Sequence, residues 1–287
     1  MSERIFIVGA GQVGVGLYRA FRAAGVGVLG LHSRRHTPLA TSSGSLPPSL
    51  GDANAVIVAV RDEQIDAAIA ELIFESTTST GKRRLASGTV IVHTSGGAEP
   101  PIIPRLGELG LSGGTFHPLV PFANPDRAPE LLRRGWIGID GDDQARATSR
   151  RLAGQLGART LEIPPGMKPI YHAAAVISSN FPVVLESVAA GILADAGIPE
   201  RSAQQAVHSL MEAAVSNTAD ATPDAALTGP VVRGDVDTVY RHLQALRHNA
   251  DARALYRRLS FAALEIARRR GTDPTRLAEI QKLLLLR

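Results

Sequence analysis

The stretch RIFIVGAGQVGVGLYRAFRAAG (residues 4–25) decides how the chain folds. It opens with an apolar run that ends in glycine, the mark of a short buried strand. From Val13 onward apolar residues recur at helical spacing until Gly25 closes the segment. Between strand and helix stand Gly9, Gly11 and Gly14, in the pattern GxGxxG. That pattern is weak alone and strong here, because its meaning requires a strand before it and a helix after it. Gly9 permits the tight turn, Gly11 lets backbone approach a pyrophosphate, and Gly14 lets helix and strand pack closely. The helix N-terminus then attracts phosphate charge. With Gln12 and Val13 completing the turn, GAGQVG reads as a dinucleotide-binding loop.

The same alternation continues outward. VGVLGL (residues 26–31) reads as a second strand, AVIVAV (55–60) as a third, and DEQIDAAIAELIF (62–74) as the helix after it. TVIVH (89–93) is a fourth strand, PIIPRLGELG a short helix and GGTFH (113–117) a fifth strand. WIGID (136–140), a helix over 142–156 and RTLEI follow. Continuous β-branched runs suit strands buried on both faces, so the expected class is α/β, a doubly wound, mostly parallel sheet. After Pro164-Pro165 strand signals stop and helical periodicity runs on. The expected division is therefore a dinucleotide-binding domain over 1–163 and an all-α domain over 164–287. The helices ALYRRLSFAALEIARRR and TRLAEIQKLLLLR carry apolar stripes suited to that domain's core.

Composition narrows the function classes. A chain of 287 residues with 44% hydrophobic content can bury a sizeable core. Net charge is +4, but the basic residues are dispersed and aromatics are only 4%, which argues against nucleic-acid binding. The absence of Cys excludes disulfides and thiolate chemistry and suits a reducing cytoplasm, where the protein is expected. No secretion signal is read, since IFIVG is too short. The apolar stretch 173–196 is interrupted by Asn180, Pro182, Glu186 and Asp195, so no membrane span is expected. STGKRR (79–84) lacks the spacing of a phosphate loop and reads as an exposed loop.

The second strand ends in LHSRRH (31–36), without the acid that would hold the ribose hydroxyls of NAD. Ser33 could donate to an adenosine 2′-phosphate, and Arg34 or Arg35 could fork it, so NADP is the expected cofactor. In a doubly wound sheet ligands lie beyond the carboxyl ends of the strands. Val60, closing the third strand, is thus expected to contact the cofactor, and His93, Thr94 and Ser95 at the end of the fourth strand and His117 in the fifth are expected around the nicotinamide. No carboxylate or third His stands at ligand spacing, so no metal is expected.

GMKPIYHAAAVISSN (166–180) then sets proton-exchanging groups in an apolar segment. Pro169 suits a first helical turn and places Lys168 at the helix start. Lys168, His172, Ala175, Ser179 and Glu186 fall on one stripe, with Tyr171 on its flank. Lys is rare here, three residues against 28 Arg, and Lys is the cation whose pKa burial can bring into a useful range. Lys168 is accordingly the first catalytic candidate, with His172, His93 and His117. LTGPVVRGD (227–235) breaks the helical pattern, and Thr228, Arg233 and Asp235 are candidates for holding substrate, as are Tyr171 and Ser179.

Taken in order, GAGQVG, HTSG, FHPL, KPIYHAAAVISSNF and LTGPVVRGD resemble a bacterial family in which a Rossmann-like NADP-binding domain precedes a helical domain of unknown function. That family is similar to ketopantoate reductase, pyrroline-5-carboxylate reductase, the 6-phosphogluconate and β-hydroxyacid dehydrogenases, and deazaflavin-dependent NADP oxidoreductases. The resemblance implies hydride transfer between NADP(H) and a small carbonyl, hydroxyl or imine substrate, and pairing of two copies through the helical domain. Lys168 matches a lysine of the β-hydroxyacid dehydrogenases, while His172 stands where those enzymes carry Asn. Arg61 stands where relatives often have Pro. A dinucleotide-binding sensor or accessory protein without turnover is the competing expectation.

Overall fold

The computed structural model describes residues 3–76 and 85–286, so the segment 79–84 lies outside the described residues. Contacts divide the chain into two units, Met1–Asn180 and Phe181–Arg287. In the first, strands β1 (Arg4–Val8), β2 (Gly27–Ser33), β3 (Ser42–Ser43), β4 (Ala55–Val58), β5 (Val90–His93), β6 (Ser112–Pro118), β7 (Trp136–Gly141) and β8 (Arg159–Glu162) form one sheet. Its order is β3-β2-β1-β4-β5-β6-β7-β8. Among the described strands only β6 and β7 pair antiparallel. Helices α1 (Gln12–Ala23), α2 (Ile65–Ser76), α3 (Ala128–Arg134) and α4 (Asp143–Gln155) cover the sheet. The expected doubly wound, mostly parallel sheet is therefore present.

The alternation of side chains along each strand builds two cores. Ile5, Ile7, Ile57, Val92, Phe116 and Ile139 face one way, toward α1, α3 and α4. Phe6, Val8, Val56, Val58 and Ile91 face the other, toward α2 and the 3₁₀ turns at Pro48–Asp52 and Ile103–Leu109. β3 was not foreseen. It lies in a Ser- and Pro-rich segment that reads as loop, and it joins the sheet through two residues only, His32 opposite Ser42 and Ser33 opposite Ser43.

Helix α5 (Lys168–Asp195) runs from the first unit into the second. The sequence places the domain boundary ahead of this helix. The units divide inside it, one residue before Pro182, whose missing N–H leaves the Ser178 carbonyl without its helical donor. The first turns stay with the sheet because Lys168 is buried there, only 1% exposed. By length and composition α5 could also cross a membrane. The second unit contains α6 (Glu200–Ser216), α7 (Pro223–Ala226), α8 (Pro230–Arg233), α9 (Val236–Ala245), α10 (Ala250–Arg269) and α11 (Pro274–Leu285). Val231, Val239, Leu243, Leu264, Leu277, Ile280 and Leu284 make its core, as the stripes on the last two helices predict.

Candidate active site

The sheet order reverses beside β1, where β2 leads to one side and β4 to the other. The crevice at such a point is where doubly wound sheets hold ligands. A cleft of about 610 Å³ lies there, lined by Gly9 to Val13, by His32 to Thr37, by Val60 and Arg61, by the α2 residues Ala68, Glu71 and Leu72, and by Thr94. Each glycine of the loop has a distinct reason. Gly9 has φ +112°, and a Cβ on it would stand 2.2 Å from the Ala59 carbonyl oxygen. A Cβ on Gly14 would stand 1.8 Å from the Gly9 carbonyl oxygen. Around Gly11 a Cβ would meet nothing within 4 Å, so the space beside it is open to a ligand. No side chain caps α1 and no acid occupies its first turn, which leaves its N-terminal amides available to an anion. Ser33, Arg34 and Arg35 line the same cleft, with Arg34 Nη2 paired to Glu71 Oε2 at 3.0 Å. A dinucleotide phosphate chain fits this set of donors.

Thr94 closes the cleft, and the residues on either side of it turn inward. His93, 1% exposed, faces the α2 side of the sheet, two residues beyond Ile91. It stands opposite Thr115 in the β5/β6 register. Between them lies the Lys168 ammonium. Nζ donates to Thr115 Oγ1 (2.6 Å) and to the Ala98 carbonyl (2.5 Å), and lies 3.4 Å from His93 Nε2. Burial without a carboxylate in contact lowers the Lys168 pKa, opposed by the fields of Asp140, Glu99 and Asp62. Ser95 holds the loop above. Its hydroxyl donates to Asp62 (2.9 Å) and accepts from the Ala98 and Gly97 amides (2.9 and 3.3 Å).

Two residues further along β6 is His117, whose Nδ1 is 2.7 Å from the Tyr171 hydroxyl. Its ring also meets His172 edge to face, with centroids 5.8 Å apart. Gly96 lies between the two imidazoles, since a Cβ there would come within 2.6 Å of His172 and 2.7 Å of His117. His172 Nδ1 is buried and has no hydrogen-bond partner among the described residues. Burial pushes the Tyr171 phenol up. Gly138, opposite His117 across β6/β7, makes room for that phenol, as a Cβ on it would lie 2.1 Å from the Tyr171 oxygen. Gly138→Ala should therefore displace Tyr171 from His117 and cost about 1–3 kcal/mol by overpacking. Chemical denaturation measures it; an undiminished midpoint would mean that Tyr171 can move aside freely.

His93 is held down at about 3 and His117 at about 4, burial being the larger cause in each. The next cause is the Lys168 charge for His93 and the His172 charge for His117. Both values lie below the unfolded value of 6.5, so the unfolded chain binds protons that the folded chain refuses. Stability from these residues is complete above about pH 6.5 and is lost as pH falls toward 4 and then 3. Melting temperature should decline over that window, and less steeply in His93→Gln. An equal decline in that variant would exclude His93 as a source.

The structure thus brings Lys168, His93, His117, Tyr171 and His172 together, and gathers Gly9, Gly11, Gln12, Val13, Ser33, Arg34, Arg35, Val60 and Thr94 in the cleft. Gly14 packs behind the loop, and Ser95 is engaged in holding the turn. Ser179 is exposed beside Asn180, 11 residues along α5 from Lys168. Thr228, Arg233 and Asp235 belong to the second unit, where Asp235 caps α9 by accepting from the Thr238 amide. Sequence reasoning passed over Thr115, Asp62, Gly96, Gly138 and Glu71. Thr115 had a signal, its two-residue spacing from His117; the others acquire their roles only through tertiary contact.

These features define a Rossmann-type α/β fold carrying a buried Lys–His cluster at the carboxyl ends of β5 and β6. Residues 136–263, from β7 into α10, match the family described as "Domain of unknown function (DUF2520)". Solved structures share the fold across both units. A Thermotoga maritima protein is 24% identical with a TM-score of 0.72, over 93% of this chain and 99% of its own. A Bacteroides fragilis protein described as an NADP oxidoreductase is 21% identical with a TM-score of 0.70, over 92% and 98%. Plasmodium falciparum pyrroline carboxylate reductase, solved with NADP bound, is 12% identical with a TM-score of 0.60, over 97% and 98%. No curated protein matches the chain. The resemblance drawn from the sequence motifs is borne out by this family match and by these shared folds.

Proposed function

We propose that the chain is an NADP(H)-dependent oxidoreductase acting on a small carbonyl, hydroxyl, imine or amine substrate. The observation that carries this reading is the continuity of two sites at Thr94, which lines the glycine cleft while its neighbour His93 contacts Lys168. The α1 N-terminus would hold the pyrophosphate, and Ser33, Arg34 and Arg35 the adenosine 2′-phosphate. When bound, the nicotinamide supplies or accepts a hydride. The chain's own residues manage the charge that accompanies it. Lys168 is the proposed acid/base group, its ammonium aimed by Thr115 and Ala98 and made more acidic by burial. With the Tyr171 hydroxyl donating to Nδ1, His117 keeps its proton on Nε2 and can hydrogen-bond a developing oxyanion or amide anion. His172 walls this cluster through its contact with His117.

A homodimer in the cytoplasm belongs to the same proposal. Along α5, Ile170, Ile177, Phe181, Val183 and Val184 are exposed, an apolar surface that a second copy would cover. The seal over Lys168 favours a second reading, an NADP(H)-binding sensor or accessory protein without turnover. Thermal shift with NADPH and NADH tests binding, and NADPH at 100 times its Kd should add about 2.7 kcal/mol. Stereospecific deuteride transfer from labelled NADPH to a panel of oxo acids and cyclic imines then separates the readings. Binding with no transfer to any substrate would leave the sensor.

A further inference from the structure

Among the described residues that line the cleft Glu71 is the only acid, set against Arg34, Arg35 and Arg61. It stands on the face of α2 that also presents Ala68 and Leu72, at helical spacing, so the helix packing aims its carboxylate at the end of β2. There it takes the Arg34 guanidinium at 3.0 Å, although the two residues are 37 apart in sequence. Arg61 pairs with its near neighbour Glu63. Arg35 has no ion-pair partner among the described residues. Both members of the Arg34–Glu71 pair keep solvent access, with side chains 67% and 37% exposed. A pair of this kind is weak and exchanges partners readily.

We propose that Glu71 sets the cofactor preference of the cleft by competing with an adenosine 2′-phosphate for the Arg34 guanidinium. The inference rests on the cofactor reading above. To fork the phosphate, Arg34 must leave Glu71, and the freed carboxylate then repels the dianion it faces. An unphosphorylated ribose asks for neither change and leaves the pair closed. Arg35 and Ser33 remain as the phosphate's unopposed donors, so the chain prefers NADPH by less than its two arginines suggest. Glu71 is thus a restraint on selectivity.

The test is calorimetric titration of the full chain with NADPH and, separately, NADH. It uses wild type, Glu71→Gln, Glu71→Ala, Arg34→Gln and the Glu71→Gln/Arg34→Gln pair, with melting temperatures to confirm folding. Freeing one charge-assisted hydrogen bond should tighten NADPH about tenfold in either Glu71 variant. NADH should stay within about twofold. The double variant should lose that gain, because Arg34 is the group released. An NADPH affinity unmoved by both Glu71 variants overturns the proposal while leaving NADP binding intact. So does an NADPH affinity of the double variant about tenfold above wild type, as high as that of Glu71→Gln alone. If wild type binds neither nucleotide, the proposal and the cofactor reading fall together.

Discussion

Lys168→Met is expected to lower turnover by about 10²–10⁴-fold while leaving the melting temperature within a few degrees of wild type. The two readouts separate because the ammonium has two opposite effects on stability. It supplies hydrogen bonds to Ala98 and Thr115, and losing a buried partner costs about 1–3 kcal/mol. It is also a buried charge with no carboxylate in contact, and removing such a charge recovers a comparable desolvation penalty. Methionine fills nearly the same volume, so no large cavity opens. Chemistry has no such compensation, since the variant offers neither a proton nor a positive charge beside the developing anion. His93 reports the same change: without the Lys168 charge its pKa should rise, which histidine NMR would follow. A rate within threefold of wild type, at unchanged stability, would leave Lys168 a structural residue and favour the sensor reading.

The second large effect separates two glycines that look alike in the motif. Gly11→Ala should fold with wild-type stability and lose most NADPH binding, since its methyl group would enter open space in the cleft and occupy the ligand's approach. Gly14→Ala should lose both stability and binding. Its methyl group would stand 1.8 Å from a carbonyl oxygen, a distance no rotamer can relieve. Helix α1 would have to retreat from β1, taking the phosphate-facing amides with it. The expected cost is about 1–3 kcal/mol or more in unfolding, together with loss of the NADPH-induced thermal shift. Differential scanning fluorimetry with and without NADPH reads both quantities. Equal apo stabilities in the two variants would contradict the packing role of Gly14.

Much of this architecture was legible because its signals are local. The buried strands announce themselves as apolar runs, and GAGQVG gains its meaning from the strand and helix on either side. β3 escaped notice because it is two serines in a loop-like segment, with no apolar pattern to mark them, and its hydrogen bond between Ser42 Oγ and His32 Nδ1 (3.0 Å) exists only once the strands have paired. The candidate site was legible in part for the same reason. Lys168 stood out as a rare lysine at a helix start, and His93 and His117 as polar residues near strand ends. The partners that give those residues their properties did not stand out. Ala98 acts through its carbonyl, and Gly96 and Gly138 act by having no side chain. Glu71 looked like any helix-surface acid until α2 was packed on the sheet. Arg34 was legible as a cation and illegible as a paired one.

β7 runs against β6, so its opening residues, and not its closing ones, stand level with His117. The wall over the imidazole is therefore the start of a strand anchored to α3 through Gly135. The connection between β7 and α4 lies at the opposite end of the strands, level with Gly114, away from His117. Variation in the surroundings of His117 would accordingly be carried by the short α3–β7 joint, where Gly135 follows α3 directly and leads into Trp136.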